Sequence, residues 1–342
     1  MAKLRVSYLL LLLSISAFSD GGSIGINYGR VANNLPPPSK VVELLKSQGF
    51  NRVKLYDTDS EVLTALANSG ISVTVALPNG LLSSTAADQS FADNWVQTNI
   101  YQFYPATKIE AICVGNEVFA DPNNMTKFLV PAMKNIHASL AKYSLDSAIK
   151  ISSPVALTVL QSSYPSSSGS FKSELVEPVM KPMLDLLRQT GSYFMVNVYP
   201  FFAYTANSND ISLDYTLFKQ NPGVVDSGNG LRYNSLFDAQ VDAVFAALSA
   251  LKYDDVKIVV TETGCPHWVI RTRLVQAMTM RPRIMVIWYA GSSPAVEPPY
   301  DHRINLTFFS SPCSTRMKKR VPHRRGTLAY FTPVSRRYTT YP

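Results

Sequence analysis

The sequence predicts an α/β chain folded as a (β/α)8 barrel, and three observations carry that expectation. From residue 24 onward, short β-branched runs alternate with helical stretches. The runs are apolar on both faces, as parallel strands covered by helices are. Polar residues recur just past one strand end after another (Asn27, Asp57, Asn79, Asn116-Glu117, Tyr199 and Glu262), and barrel enzymes build their sites at those ends. The competing doubly wound sheet would need a Gly-x-Gly-x-x-Gly after its first strand, and none is present.

In chain order, strands are expected at Ile24–Tyr28, Val53–Tyr56, Ser72–Leu77, Ile109–Val114, Ile149–Ser152, Tyr193–Val198 and Lys257–Thr261. Helical spacing falls at Lys40–Ser47, Glu61–Asn68, Ala92–Phe103, Thr126–Tyr143, Lys172–Gln189 and Ser235–Leu251. Thr58-Asp59-Ser60-Glu61 has the form of a capping box for the second of these helices. For the eighth strand, Ile284–Trp288 is the apolar run that remains. A barrel without it would expose two sheet edges.

The N-terminus carries Lys3 and Arg5, then the apolar run Val6–Phe18, then small residues. That is the form of a secretory signal peptide, taken as residues 1–19 with cleavage between 19 and 23. The run is short for a bilayer span, so no transmembrane segment is expected. Cys113, Cys265 and Cys313 form no disulfide framework, and with the four scattered histidines (His137, His267, His302 and His323) they show no metal-ligand spacing. Neither a metal nor a cofactor is expected. Asn124-Met125-Thr126 and Asn305-Leu306-Thr307 are glycosylation triplets.

The net charge of +8 is unevenly spread. Residues 267–342 hold 13 Lys and Arg against two acids, a balance of +11, which leaves −3 for residues 1–266. The main body has no basic stripe for phosphates, so nucleic acid is not an expected partner. The organisation that follows is a leader, a catalytic barrel over 24–266 and a basic segment over 267–342. The charge break coincides with a loss of helical and strand pattern, which points to a shifted reading frame or a mis-spliced exon from about residue 267.

The chemistry centres on two carboxylates. Glu117 stands in "ICVGNEV" and Glu262 in "VVTETG", each where a buried run ends beside a glycine. The fourth and seventh strands of a barrel would carry them to the same face. Two facing carboxylates are the minimal machinery for glycoside hydrolysis: one protonates the leaving oxygen, and the other attacks or activates water. A separation of about 5–5.5 Å would make the enzyme retaining. Asn116 could bond a sugar 2-hydroxyl, or simply serve its turn. Tyr28, Tyr56, Tyr199, Phe201, Phe202 and Tyr204 supply rings on which sugars could stack, or ordinary core. Tyr199 and Phe201 are the best placed of these, because Pro200 breaks the strand between them. No Gly-x-Ser-x-Gly elbow, P-loop or His-Glu-x-x-His occurs.

Taken in order, "IGINYGRVANNLP", "VKLYD", "VALPN", "AICVGNEV", "ISSP", "VNVYPFFAY", "YNSLFDAQVDAV" and "VVTETG" resemble the plant secreted β-1,3-glucanases of glycoside hydrolase family 17. The resemblance covers nearly all of 24–266. It implies a (β/α)8 barrel and a retaining mechanism on internal bonds of β-1,3-glucan such as callose, with Glu117 as acid/base and Glu262 as nucleophile. Tyr28, Tyr56, Asn116, Asn197, Tyr199 and Phe201 are then the expected substrate contacts of a monomer secreted to the cell wall. The family reads Gly-Trp-Pro where this chain has Gly264-Cys265-Pro266, and its C-terminal end is not recognisable from His267 on. The alternative is therefore a glucan-binding barrel with weak or no catalysis.

Overall fold

The structure is a computed structural model that describes residues 24–31, 35–264 and the backbone of 308–310. The signal peptide, Cys265, Cys313, the glycosylation triplet at Asn305, three of the four histidines and the run Ile284–Trp288 lie outside the described residues.

Parallel strands form the central layer: β1 (Ile24–Tyr28), β2 (Arg52–Leu55), β3 (Ser72–Leu77), β4 (Lys108–Val114), β5 (Lys150–Ser152), β6 (Val155–Ala156), β7 (Phe194–Asn197), β8 (Ile258–Glu262) and β9 (Phe308–Ser310). One sheet runs β9-β1-β2-β3-β4-β5 and the other β8-β7-β6, every pairing parallel. β5 and β6 are two halves of the fifth barrel strand. Between them Pro154 has no N–H for the ladder, so the first half pairs with β4 and the second with β7. β9 lies against β8 as well as β1, which completes the ring of a (β/α)8 barrel.

The eighth position corrects the sequence-based expectation. The strand beside β1 is Phe308–Ser310, in register Ile24 with Phe308 and Ile26 with Ser310, rather than Ile284–Trp288. Its two adjacent phenylalanines favour extended backbone, a local preference that a search for a longer apolar run passes over.

The helices are α1 (Pro38–Ser47), α2 (Ser60–Leu66), α3 (Leu82–Ala87), α4 (Gln89–Val96), α5 (Thr126–Lys142), α6 (Lys181–Gln189), α7 (Pro200–Ala206), which starts three residues past the end of β7, and α8 (Leu236–Ala250). The cap of α2 is Asp59, whose carboxylate accepts from the N–H groups of Glu61 and Val62, so the predicted Ser/Thr capping box does not form. Thr58 donates instead to Asn99 Oδ1 at 2.8 Å. The expected helix Lys172–Gln189 forms as a continuous helical stretch over 173–189, widened to one π turn at Val176–Met180 ahead of α6, where Pro178 lacks the N–H a regular helix would use.

Burial splits each strand into two faces. Val53, Leu55, Val73, Val75, Leu77, Ile112, Val114, Phe194, Val196, Ile258 and Val260 pack outward in the main core with the helices. Ala76, Ala111, Cys113 and Met195 form a separate small cluster, the side chains that fill the barrel's interior. The interior is polar beside that plug: Asn27, Lys54, Thr74, Asn197, Thr261 and Glu262 are all buried. Membership of the two clusters follows the two-residue period of the strands.

Two tertiary locks generate predictions. Asp93 on α4 receives Ser139 Oγ and Lys142 Nζ from α5, both at 2.7 Å, and Gln89 Nε2 at 2.8 Å. These bonds, Lys142 foremost, pull its carboxyl down to about 2 from 3.8. A folded-state value below the unfolded one stabilises the fold above about pH 4, and that contribution disappears as pH falls toward 2. Asp93→Asn should therefore flatten the loss of thermal stability between pH 4 and 2, measured as melting temperature against pH. At the second lock, a Cβ on Gly169 would stand 2.0 Å from the Ala243 carbonyl oxygen of α8, which is backbone and cannot yield. Gly169→Ala should cost about 1–3 kcal/mol in urea unfolding. Gly80→Ala, facing open space, should stay within about 0.5 kcal/mol of the parent.

Candidate active site

The turn after β4 sets the first carboxylate. Gly115 has φ +72°, and a Cβ there would lie 2.5 Å from Val118 Cγ2, so glycine alone fits. Asn79 grips the next residue at both ends of its peptide. Its Oδ1 accepts from Asn116 N at 2.7 Å, and its Nδ2 donates to Asn116 O at 3.0 Å and to Asp121 Oδ2 at 2.7 Å. Glu117 itself adopts left-handed backbone, φ 49° and ψ 42°, and its N–H donates to Pro154 O at 2.8 Å. Such a conformation costs a non-glycine residue about 1–3 kcal/mol and collects at functional sites. Here it turns the Glu117 side chain back over the strand ends.

The second carboxylate closes β8. Glu262 is the strand's last residue, 7% exposed, and its carbonyl accepts from Val198 N at 2.8 Å. Both side-chain oxygens are held. Lys54 Nζ donates to Oε1 at 2.7 Å, and the Tyr199 hydroxyl donates to Oε2 at 2.8 Å. Lys54 is completely buried. Its ammonium also lies 3.4 Å from Asn116 Oδ1 and 4.8 Å from the centroid of the Tyr56 ring.

Asn197 joins the two. It pairs with Glu262 in the β7–β8 register, accepts from Thr261 Oγ1 at 2.8 Å, and donates Nδ2 to Glu117 Oε1 at 2.9 Å. The Glu117 carboxylate, which only accepts, sets which end of the amide faces it, and the Thr261 hydroxyl donates to the other end. Across the barrel, Asn27 Nδ2 donates to Thr261 O at 3.3 Å and ties β1 to β8. The carboxylates thus share one network but not one environment: Glu117 is partly exposed on a turn, while Glu262 is buried against a cation. That asymmetry suits a pair in which one group is open to arriving water and the other is held fast.

The other sequence-predicted contacts divide. Asn116, Asn197 and Tyr199 stand in this network, and Tyr56 flanks Lys54. Tyr28 does not reach it: the ring is 3% exposed in the outer core, and its hydroxyl is pushed up by burial, with Arg30 opposing and Asp59 and Asp57 adding to it. Phe201 is also turned inward, 5% exposed, because it follows Pro200 into the first turn of α7. Its neighbour Phe202 takes the exposed side, 51% accessible and 5.3 Å from the Tyr199 ring. Asp57, another strand-end residue, is engaged with Arg30 at 3.0 Å. Lys54 and Thr261 are not among the sequence-predicted residues, and Phe202, one of the candidate rings, ranks there below Phe201. For Lys54 a signal existed: a charge at the inward-facing position of "RVKLYD", between Val53 and Leu55, has nowhere to point but the barrel interior. Among the described residues, no group of His, Cys, Asp or Glu side chains could hold a metal ion.

The comparisons agree with this architecture. Glucan endo-1,3-beta-glucosidase 13 of Arabidopsis thaliana is 42% identical over 262 residues, 76% of this chain and 51% of that protein. Glucan endo-1,3-beta-glucosidase 10 of the same plant is 47% identical over 247 residues, 71% of this chain and 58% of that protein. The chain spans about half the length of the first curated relatives it matches. Among solved structures, CJP38, a beta-1,3-glucanase and allergen of Cryptomeria japonica pollen, aligns with a TM-score of 0.69 at 44% identity, covering 71% of this chain and 76% of that one. One of two plant beta-glucan endohydrolases with distinct substrate specificities aligns at 0.66 and 38%, covering 71% and 77%. The family model for glycosyl hydrolases family 17 matches residues 24–293, a span that takes in every residue of the two-carboxylate network and runs on into the basic segment, and the chain belongs to that family.

Proposed function

We propose that the protein is a secreted retaining endo-β-1,3-glucanase, with Glu262 as nucleophile and Glu117 as general acid and base. The observation that carries the assignment of roles is the buried contact between Lys54 and Glu262, which sets a cation against one oxygen of that carboxylate while the Tyr199 hydroxyl holds the other. Glu117, on its partly exposed turn, gives a proton to the departing glycosidic oxygen as Glu262 bonds the anomeric carbon. It then takes a proton from the water that displaces Glu262. Asn197 holds Glu117 through both steps, and Tyr199 orients the second oxygen of Glu262.

The names of the relatives support β-1,3-glucan as the substrate. Phe202, beside Tyr199 at the mouth of the site, is the exposed ring on which a pyranose face can stack. The leader-like N-terminus supports secretion to the cell wall. Among the described residues, no helix is long and apolar enough to cross a membrane. A monomer suffices for this chemistry, since both carboxylates and their partners come from one chain.

Reducing-sugar release from a linear β-1,3-glucan tests the assignment. Glu117→Gln should lower turnover by roughly 10²–10⁴-fold, and Glu262→Gln by at least as much. Azide added to Glu262→Gly should yield the α-glycosyl azide, and azide added to Glu117→Gly the β-anomer. Turnover near that of the parent in either Gln variant would remove that residue from the mechanism. Phe202→Ala should raise KM roughly 3–10-fold, the loss of one ring contact, with kcat little changed.

A further inference from the structure

Lys54 is more than a counter-charge, because its partner changes charge during the reaction assigned above. In the first half-reaction an oxygen of Glu262 bonds the anomeric carbon while the bond to the leaving sugar breaks, and Glu117 gives its proton to the departing oxygen. Glu262 is then a neutral ester. Lys54 remains where it was, wholly buried, with its ammonium facing a group that no longer carries charge.

Among the described residues, the neighbours do not replace what is lost. Asn116 Oδ1, 3.4 Å from Nζ, and the Tyr56 ring, 4.8 Å away, are neutral acceptors. The nearby Cys113 thiol is held protonated, pushed up to about 11 chiefly by burial, with Lys54 lowering it and Glu262 raising it. Among the described residues, Glu262 is the carboxylate within ion-pairing distance of Lys54.

In the second half-reaction Glu117 takes a proton from water, the water oxygen bonds the anomeric carbon, and the carbon–oxygen bond to Glu262 breaks. The electron pair returns to Glu262 and the ion pair is restored. A buried cation with no counter-ion is costly, so it raises the ester relative to the carboxylate on either side of it. We propose that Lys54 is a positioning residue for departure rather than for attack: it makes Glu262 a better leaving group, keeps the glycosyl-enzyme short-lived, and leaves deglycosylation no slower than glycosylation. The proposal rests on Glu262 being the nucleophile.

The test uses the full chain and a dinitrophenyl β-laminaribioside, whose activated leaving group makes the first step fast. In Lys54→Met, kcat should fall about 10²-fold, the size of effect seen when one charge-stabilising donor is removed. KM should fall in parallel, with kcat/KM within about 3-fold of the parent, the signature of a slowed second step. A burst of dinitrophenol should appear, and mass spectrometry of acid-quenched protein should find a laminaribiosyl adduct on the Glu262 peptide at a higher fraction than in the parent. Lys54→Arg, which keeps the charge, should turn over without accumulating adduct. Lys54→Gln, near in size and able to donate to Oε1, decides the matter if Lys54→Met does not fold.

Loss of kcat/KM equal to the loss of kcat, without burst or adduct, in a variant that melts like the parent would overturn the proposal. So would unchanged turnover. Failure of the functional reading itself looks different: Glu262→Gln would keep its activity, or the adduct would map to another residue.

Discussion

A lysine ammonium and a glutamate carboxylate meet at 2.7 Å inside a ring of parallel strands, both withdrawn from water. Removing two ions from water costs several kcal/mol each, and their attraction roughly offsets that cost, so such a contact adds little to net stability. It does impose a geometry. Lys54 must come from the middle of β2 and Glu262 from the last residue of β8, on opposite sides of β1 and β9 in the ring. The interior must be narrow enough for a lysine to cross, which the small residues Ala76, Ala111 and Cys113 allow. Asn27, bonded from β1 to Thr261 on β8, holds the gap across which the pair forms.

The same constraint explains why the second carboxylate is built so differently. Glu117 sits on a turn with two successive devices: a glycine at φ +72° that admits no side chain, and a left-handed glutamate two residues on. Asn79 clamps the peptide between them, and Asn197 reaches over from β7. The strained backbone costs stability locally, and the surrounding strand ends supply the bonds that hold it. One group is thus fixed by a buried charge, and the other meets the Asn197 amide on a turn at the solvent boundary.

Much of this was legible in the sequence because it is periodic. The seven strands from β1 to β8 fall where runs apolar on both faces occur, and the strand-end glutamates stand out because each follows such a run beside a glycine. What was hidden depends on direction rather than type. Phe201 and Phe202 are indistinguishable as residues, and only the start of α7 at Pro200 decides that one is buried and the other exposed. Tyr28 ends a strand and Tyr199 lies just past one, but Tyr28 faces the helices. Lys54 lies inside the "VKLYD" motif but not at a strand end, and its side chain reaches the site from mid-strand. The closing strand was hidden for another reason: three residues, Phe308–Ser310, are too short to carry a period.

Retention of configuration is the property on which the assigned roles stand or fall, since a nucleophilic Glu262 requires two displacements at the anomeric carbon. The most direct measurement is proton NMR of the reducing ends released from a linear β-1,3-glucan in the first minutes, before mutarotation scrambles them. The account predicts that the β-anomer appears first and the α-anomer grows in later. Initial release of the α-anomer would mean a single displacement by water, with Glu262 acting as a base, and would contradict it.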